Sequence, residues 1–165
     1  MDNLKVAAWM LRYGVRSLTH NLEFVPADRL DWKPEPGAKS ALEIAGEVVG
    51  NLQWCLPVLR GGEWDTSSGR PRLTSLEEAR SLLIGTADEY ATALEAAGPE
   101  LDRMVNIAGG MLWAPRAALI PVLDLLHHHG QVCYLQTLLG DREQHWNEAA
   151  IAEFFGRDSG AAPSS

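Results

Sequence analysis

Apolar residues recur along this chain at spacings of three and four, the period of a helix with one buried face. Residues 2–23 carry Leu4, Ala8, Leu11, Val15, Leu18 and Leu22 in such a stripe. A second segment, 40–59, opens at Ser40 with Glu43 three residues on, which predicts a capping box. Its stripe includes Ile44, Val48, Trp54 and Val58, and Pro57 weakens its last turn. A third, 75–97, opens with Ser75 and Glu78, a second predicted capping box, and turns Ala79, Leu82, Leu83, Thr86, Tyr90 and Leu94 inward. The fourth runs over 115–139, from Pro115 in a first turn to the stop at Gly140. A short helix is predicted over 147–155. The connections 25–39 and 60–73 are rich in proline, glycine and serine, and 101–113 reads either as a small hairpin or as an irregular loop around Gly109-Gly110.

These elements predict an all-α protein, a four-helix bundle with long interhelix connections and a short C-terminal helix. The length suits a single domain over residues 1–156, with 157–165 as a flexible tail. Interhelix links longer than the usual two to eight residues do not require up-down-up-down connectivity.

Charge narrows the partners. Fourteen Lys and Arg against 22 Asp and Glu give a formal net charge of −8. That balance argues against nucleic acid and against an anionic membrane surface. No apolar run approaches the ~18 residues of a membrane span, and the N-terminal residues lack the pattern of a signal peptide. Cys55 and Cys133 fall inside predicted helices without a disulfide framework, which places the protein in the cytoplasm.

The fourth segment holds an unusual polar run, Asp124-Leu125-Leu126-His127-His128-His129-Gly130-Gln131, with three of the chain's five histidines. On a helical wheel Asp124 lies about 40° from His128, one turn earlier on the same face. Pro121, Leu125, Val132, Leu135 and Leu139 surround that line. Burying such groups is costly unless they are paired or bound to a metal. An Asp–His pair at i, i+4 either ligates one metal ion or forms a metal-free hydrogen-bonded pair. Glu47, at the border of the apolar face of the second segment, is the candidate third ligand. Asn51 and Trp54 share its helix, His127 and His129 flank His128 by about 100°, and Gln131 is placed to orient a ligand. With Leu119, Leu126 and Cys133 on its other side, the fourth helix is apolar nearly all round, as in a central helix or a homodimer interface.

Three stretches carry a resemblance: Leu30-Asp31-Trp32-Lys33-Pro34-Glu35-Pro36-Gly37-Ala38-Lys39-Ser40, the helix from Ser40 to Asn51, and His127-His128-His129-Gly130-Gln131 through to Leu139-Gly140. Together they resemble the DinB-like (YfiT-like) four-helix-bundle family of metalloenzymes, over most of the chain. That family's three metal-binding histidines, one on the second helix and two at i and i+4 on the fourth, fall here on Glu47, Asp124 and His128. Both departures are carboxylates, themselves ligands, and the family's arginine becomes His129. The resemblance implies a divalent metal ion (Mn, Fe, Ni, Zn or Mg), with oxygen-rich ligation favouring manganese, iron or magnesium. It implies a transferase, thiol S-transferase-like and using a low-molecular-weight thiol, or a hydrolase, acting on a small-molecule substrate. Asn51, Trp54, His127 and Gln131 would shape its pocket. Two anionic ligands make a metal a weaker acid than three imidazoles do, which leaves water activation open beside thiol transfer. The rival reading is a non-catalytic dimeric bundle whose polar cluster holds no metal.

Overall fold

The computed structural model of the chain describes residues 3–154. In chain order its elements are α1 (Asn3–Leu22), α2 (Ala41–Leu59), α3 (Leu76–Ala96), β1 (Met104–Ile107), β2 (Gly110–Trp113), α4 (Ala114–Ala117), α5 (Ile120–Leu138) and α6 (Glu148–Phe154). The four long helices form the predicted all-α bundle. α1 and α2 each pack on both α3 and α5, so α3 and α5 stand diagonally opposite one another. The core between them is aliphatic, built on Leu11, Leu18, Leu52, Leu83, Leu94 and Leu125 with one large aromatic, Tyr90. The predicted tail, 157–165, and the boundary at 156 lie outside the described residues.

Ser40 caps α2 as its sequence predicts. Its hydroxyl accepts from the Glu43 N–H at 3.3 Å, and the Glu43 carboxylate accepts from the Ser40 N–H at 3.0 Å. α3 has half of the predicted box. The Ser75 hydroxyl accepts from the Glu78 N–H, but the Glu78 carboxylate turns to the N–H and hydroxyl of Thr74, both at 2.8 Å. Thr74 offers two donors where Ser75 offers one backbone N–H.

The larger correction concerns the segment 115–139, which is not one helix. It breaks at Ala118-Leu119, and each piece has a proline in its first turn, Pro115 in α4 and Pro121 in α5. Pro121 has no N–H to give the Ala117 carbonyl, so the helical ladder stops there. The carbonyls at the break are nonetheless satisfied. The Cys55 thiol donates to Ala117 O at 3.4 Å and the Tyr90 hydroxyl donates to Ala118 O at 2.9 Å. Both donors are fully buried, and burial pushes the Cys55 thiol up to about 11, so it remains a neutral donor. Cys133 is only half-buried. The segment before the break forms a hairpin, in which β1 and β2 pair antiparallel with Ile107 opposite Gly110. Ala108 and Gly109 turn it with φ of 50° and 87°, the left-handed pair that a two-residue hairpin loop needs.

Candidate functional site

The site begins with two glycines. Gly46 and Gly50 lie one turn apart on α2, and the incoming chain around Arg70 and Pro71 lies directly against them. A Cβ on Gly46 would stand 2.6 Å from the Pro71 carbonyl oxygen, and one on Gly50 would stand 3.0 Å from Arg70 Cγ. Trp54, one turn further along α2, anchors the same segment through its indole N–H, which donates to Gly69 O at 3.1 Å. The Arg70 guanidinium lies over the Trp54 ring, 5.1 Å from its centre, a cation–π contact. This path delivers Arg70 to Glu47 Oε1, while Lys39, from the loop before α2, donates to Glu47 Oε2.

Glu47 itself is 6% exposed and faces α5. There His128, 4% exposed, sets its Nε2 3.5 Å from Glu47 Oε2 and 3.3 Å from Asp124 Oδ1. Asp124 is held by Asn51, whose amide donates to Oδ2 at 2.7 Å. The other imidazole nitrogen of His128, Nδ1, donates to Gln131 Oε1 at 2.7 Å, and the Gln131 amide donates in turn to His127 Nε2 at 3.0 Å. The chain of contacts therefore runs Asn51–Asp124–His128–Gln131–His127.

This arrangement dictates the electrostatics. Burial alone would lower the pKa of His128, but Asp124, Gln131 and Glu47 outweigh it and raise the value. Burial would raise Asp124, but His128 and Asn51 hold it below the usual carboxylate range. With Nδ1 carrying a hydrogen toward Gln131, a neutral His128 points its Nε2 lone pair at two carboxylates. A positive occupant relieves that repulsion, and a proton or a metal ion serves equally in kind. As the side chains stand, no group of three or more His, Cys, Asp or Glu among the described residues is spaced to hold a metal ion. Glu47, Asp124 and His128 face one another across one imidazole nitrogen, with Lys39 and Arg70 on the Glu47 oxygens.

The other residues singled out in the sequence separate. His127 is exposed. His129 turns away toward α1, with its Nε2 3.1 Å from Asn21 Nδ2 and its pKa lowered by burial. A cleft of about 630 Å³ opens between the loop before α2 and α5, walled by Lys39, Ile44, His127, Gly130, Gln131 and Tyr134 among others. Trp54 is not part of that wall and serves to hold Arg70. Glu47, Asp124 and His128 lie behind Lys39, His127 and Gln131 and do not line the cleft themselves. The sequence reading missed Lys39 and Arg70. One signal for Arg70 was present, since two glycines a turn apart beside Glu47 mark a helix face that another backbone approaches.

The fold is shared with a solved structure, that of a DinB-like protein (YjoA) from Bacillus subtilis. The match has a TM-score of 0.69 at 15% sequence identity, and covers 85% of this chain and 96% of that one. No family model and no curated protein matches the sequence.

Proposed function

We propose that this bundle is a divalent-metal-dependent enzyme, a transferase or hydrolase acting on a small molecule, with Glu47, Asp124 and His128 as the metal ligands. The observation that carries this reading is the approach of both carboxylates to His128 Nε2 while Gln131 fixes Nδ1. A histidine that ligates through one nitrogen characteristically donates a hydrogen bond through the other. The donor set fits a divalent ion, since two carboxylates and a neutral imidazole cancel its charge. Oxygen-rich ligation favours manganese, iron or magnesium, with zinc and nickel also in range. Such an ion, when bound, supplies Lewis acidity toward a thiol or a water. The chain's own residues do the rest. Asn51 holds Asp124 in place, Gln131 sets the tautomer of His128 and links it to His127, and the cleft admits the substrate alongside Lys39.

A second reading rests on Lys39 and Arg70, which already neutralise Glu47. In that reading the cluster is a metal-free charge network in a non-catalytic bundle that binds a ligand. Metal analysis of untagged protein after reconstitution and dialysis decides between them. About one ion per chain is expected, lost in Glu47→Ala and Asp124→Ala, with affinity rising as pH rises through the elevated pKa of His128, because the ion displaces its proton. Wild-type protein free of metal, or variants that keep it, sinks the enzyme reading.

We also propose that the chain forms a homodimer across the outer face of α5. Leu123, Leu126 and Leu138 are exposed there, beside the cleft wall that holds Gly130 and Tyr134. An exposed apolar stripe of this kind suits packing against a second copy of the helix. Sedimentation equilibrium is expected to give twice the 18.1 kDa chain mass for the wild type and the single mass for Leu126→Glu. A monomeric wild type removes the proposal.

A further inference from the structure

We infer that Glu47 is the resident occupant of a carboxylate-binding site formed by Lys39 and Arg70, and that the small molecule this protein takes carries a carboxylate. Two cations from two separate loops converge on one side-chain carboxylate, the guanidinium on Oε1 and the ammonium on Oε2. Charge-assisted hydrogen bonds from an arginine fork and a lysine are the means by which proteins hold carboxylate ligands. The placement is built into the fold. Arg70 is seated by Gly46, Gly50 and Trp54, so its position does not depend on the wandering of a long side chain. Lys39 is both a partner of Glu47 and part of the cleft wall, so the cationic end of the cleft meets whatever enters it. Both cations keep about half of their side-chain surface exposed, whereas Glu47 is buried.

The inference rests on the proposed metal reading for what draws Glu47 away. Glu47, Asp124 and a neutral His128 balance a divalent ion by themselves. Lys39, in the cleft wall, and Arg70, outside that wall, are then left with two uncompensated charges. A substrate carboxylate offsets one of those two charges and can accept hydrogen bonds from both cations, and the cleft leads its remaining atoms toward His127 and Tyr134.

The test uses the full chain with acetate as the probe, followed by NMR on the indole N–H of Trp54, the ring beneath Arg70, assigned with Trp54→Phe. In metal-free wild type, acetate competes with a tethered carboxylate whose effective concentration is of millimolar order or above. Glu47→Gln removes that competitor without any metal. Acetate is expected to bind Glu47→Gln about tenfold tighter than metal-free wild type, and the gain is expected to vanish when Lys39→Met and Arg70→Met are added. Equal affinity in wild type and Glu47→Gln, or a gain that survives loss of both cations, overturns the site. Metal-loaded wild type is expected to show the same gain. If Glu47→Gln gains and the loaded wild type does not, the carboxylate site stands and the metal reading falls. If the wild type takes up metal and Glu47→Gln gains nothing, the reverse holds. Circular dichroism checks folding, and Glu47→Ala repeats both comparisons if Glu47→Gln does not fold. Inorganic phosphate is the specificity arm, and tighter binding of phosphate than of acetate overturns the assignment to a carboxylate.

Discussion

Gly46→Ala is expected to destabilise the protein by about 1–2 kcal/mol, while the same change at Gly85 stabilises it by up to about 1 kcal/mol. Both glycines lie inside helices, where alanine is favoured by about 1 kcal/mol. They differ in what the new methyl meets. At Gly85, on α3, nothing lies within 4 Å, whereas at Gly46 the Pro71 carbonyl oxygen lies 2.6 Å away. A backbone oxygen has no rotamer in which to move aside, so the segment carrying Arg70 and Pro71 must lift off α2. Overpacking costs about 1–3 kcal/mol, and against an immovable backbone oxygen the upper part of that range, about 2–3 kcal/mol, applies, which exceeds the helical gain. Lifting the segment also separates Arg70 from Glu47 and from the Trp54 ring, so the Trp54 indole resonance is expected to shift in Gly46→Ala and stay put in Gly85→Ala. Denaturant titration of both variants gives the free energies. Equal stability for the two would mean that the 70–71 segment is not seated on α2 as described.

Leu125→Ala is expected to cost more, about 3 kcal/mol, and to lower Tm by roughly 6–12 °C. Leu125 is fully buried and lies where α5 meets α1, close enough that a Cβ on Gly14 would stand 2.9 Å from its Cδ2. Gly14 leaves α1 bare at that point, so α1 itself offers no side chain there to fill the space that truncation opens. That keeps the cost near the middle of the usual range of about 2–5 kcal/mol for such changes. Leu125 follows Asp124 directly on α5 but offers no donor atom to the site. On the proposed reading the variant therefore melts earlier yet still takes up about one metal ion per chain at 25 °C. A melting temperature within a degree or two of wild type would contradict the packing described between α5 and α1.

The parts of the molecule that depend on local pattern were legible in the sequence. The helix stripes, the Ser40 cap and the shared face of Asp124 and His128 each follow from spacing along one element. Glu47 was only half legible. A wheel places it at the edge of α2's apolar face, but the wheel does not register that Gly46 and Gly50 admit a second backbone, which extends burial over that edge. Lys39 and Arg70 sit in connections, where position depends on the tertiary path and no periodicity reports it. The break after α4 was written in Pro121, yet a proline is equally at home in a helix's first turn, and Pro115 had already claimed that role for the whole segment. Whether the 101–113 stretch turned as a hairpin depended on Ala108 accepting a left-handed φ beside Gly109, which alanine does not advertise.

The diagonal placement of α3 and α5 separates robustness from the candidate site. α2 and α5 carry the candidate ligands, and two connections bring the cations. Among the described residues, α3 gives no side chain to the ligand cluster or to the cleft beside it. It supports the others through Leu83, Tyr90 and Leu94, and Tyr90 reaches the break ahead of α5. Many enzymes trade stability for activity because the same elements serve both. Here the outward surface of α3 is free to drift, or to be engineered for heat tolerance, without that exchange, and a directed-evolution campaign seeking a sturdier protein would begin there.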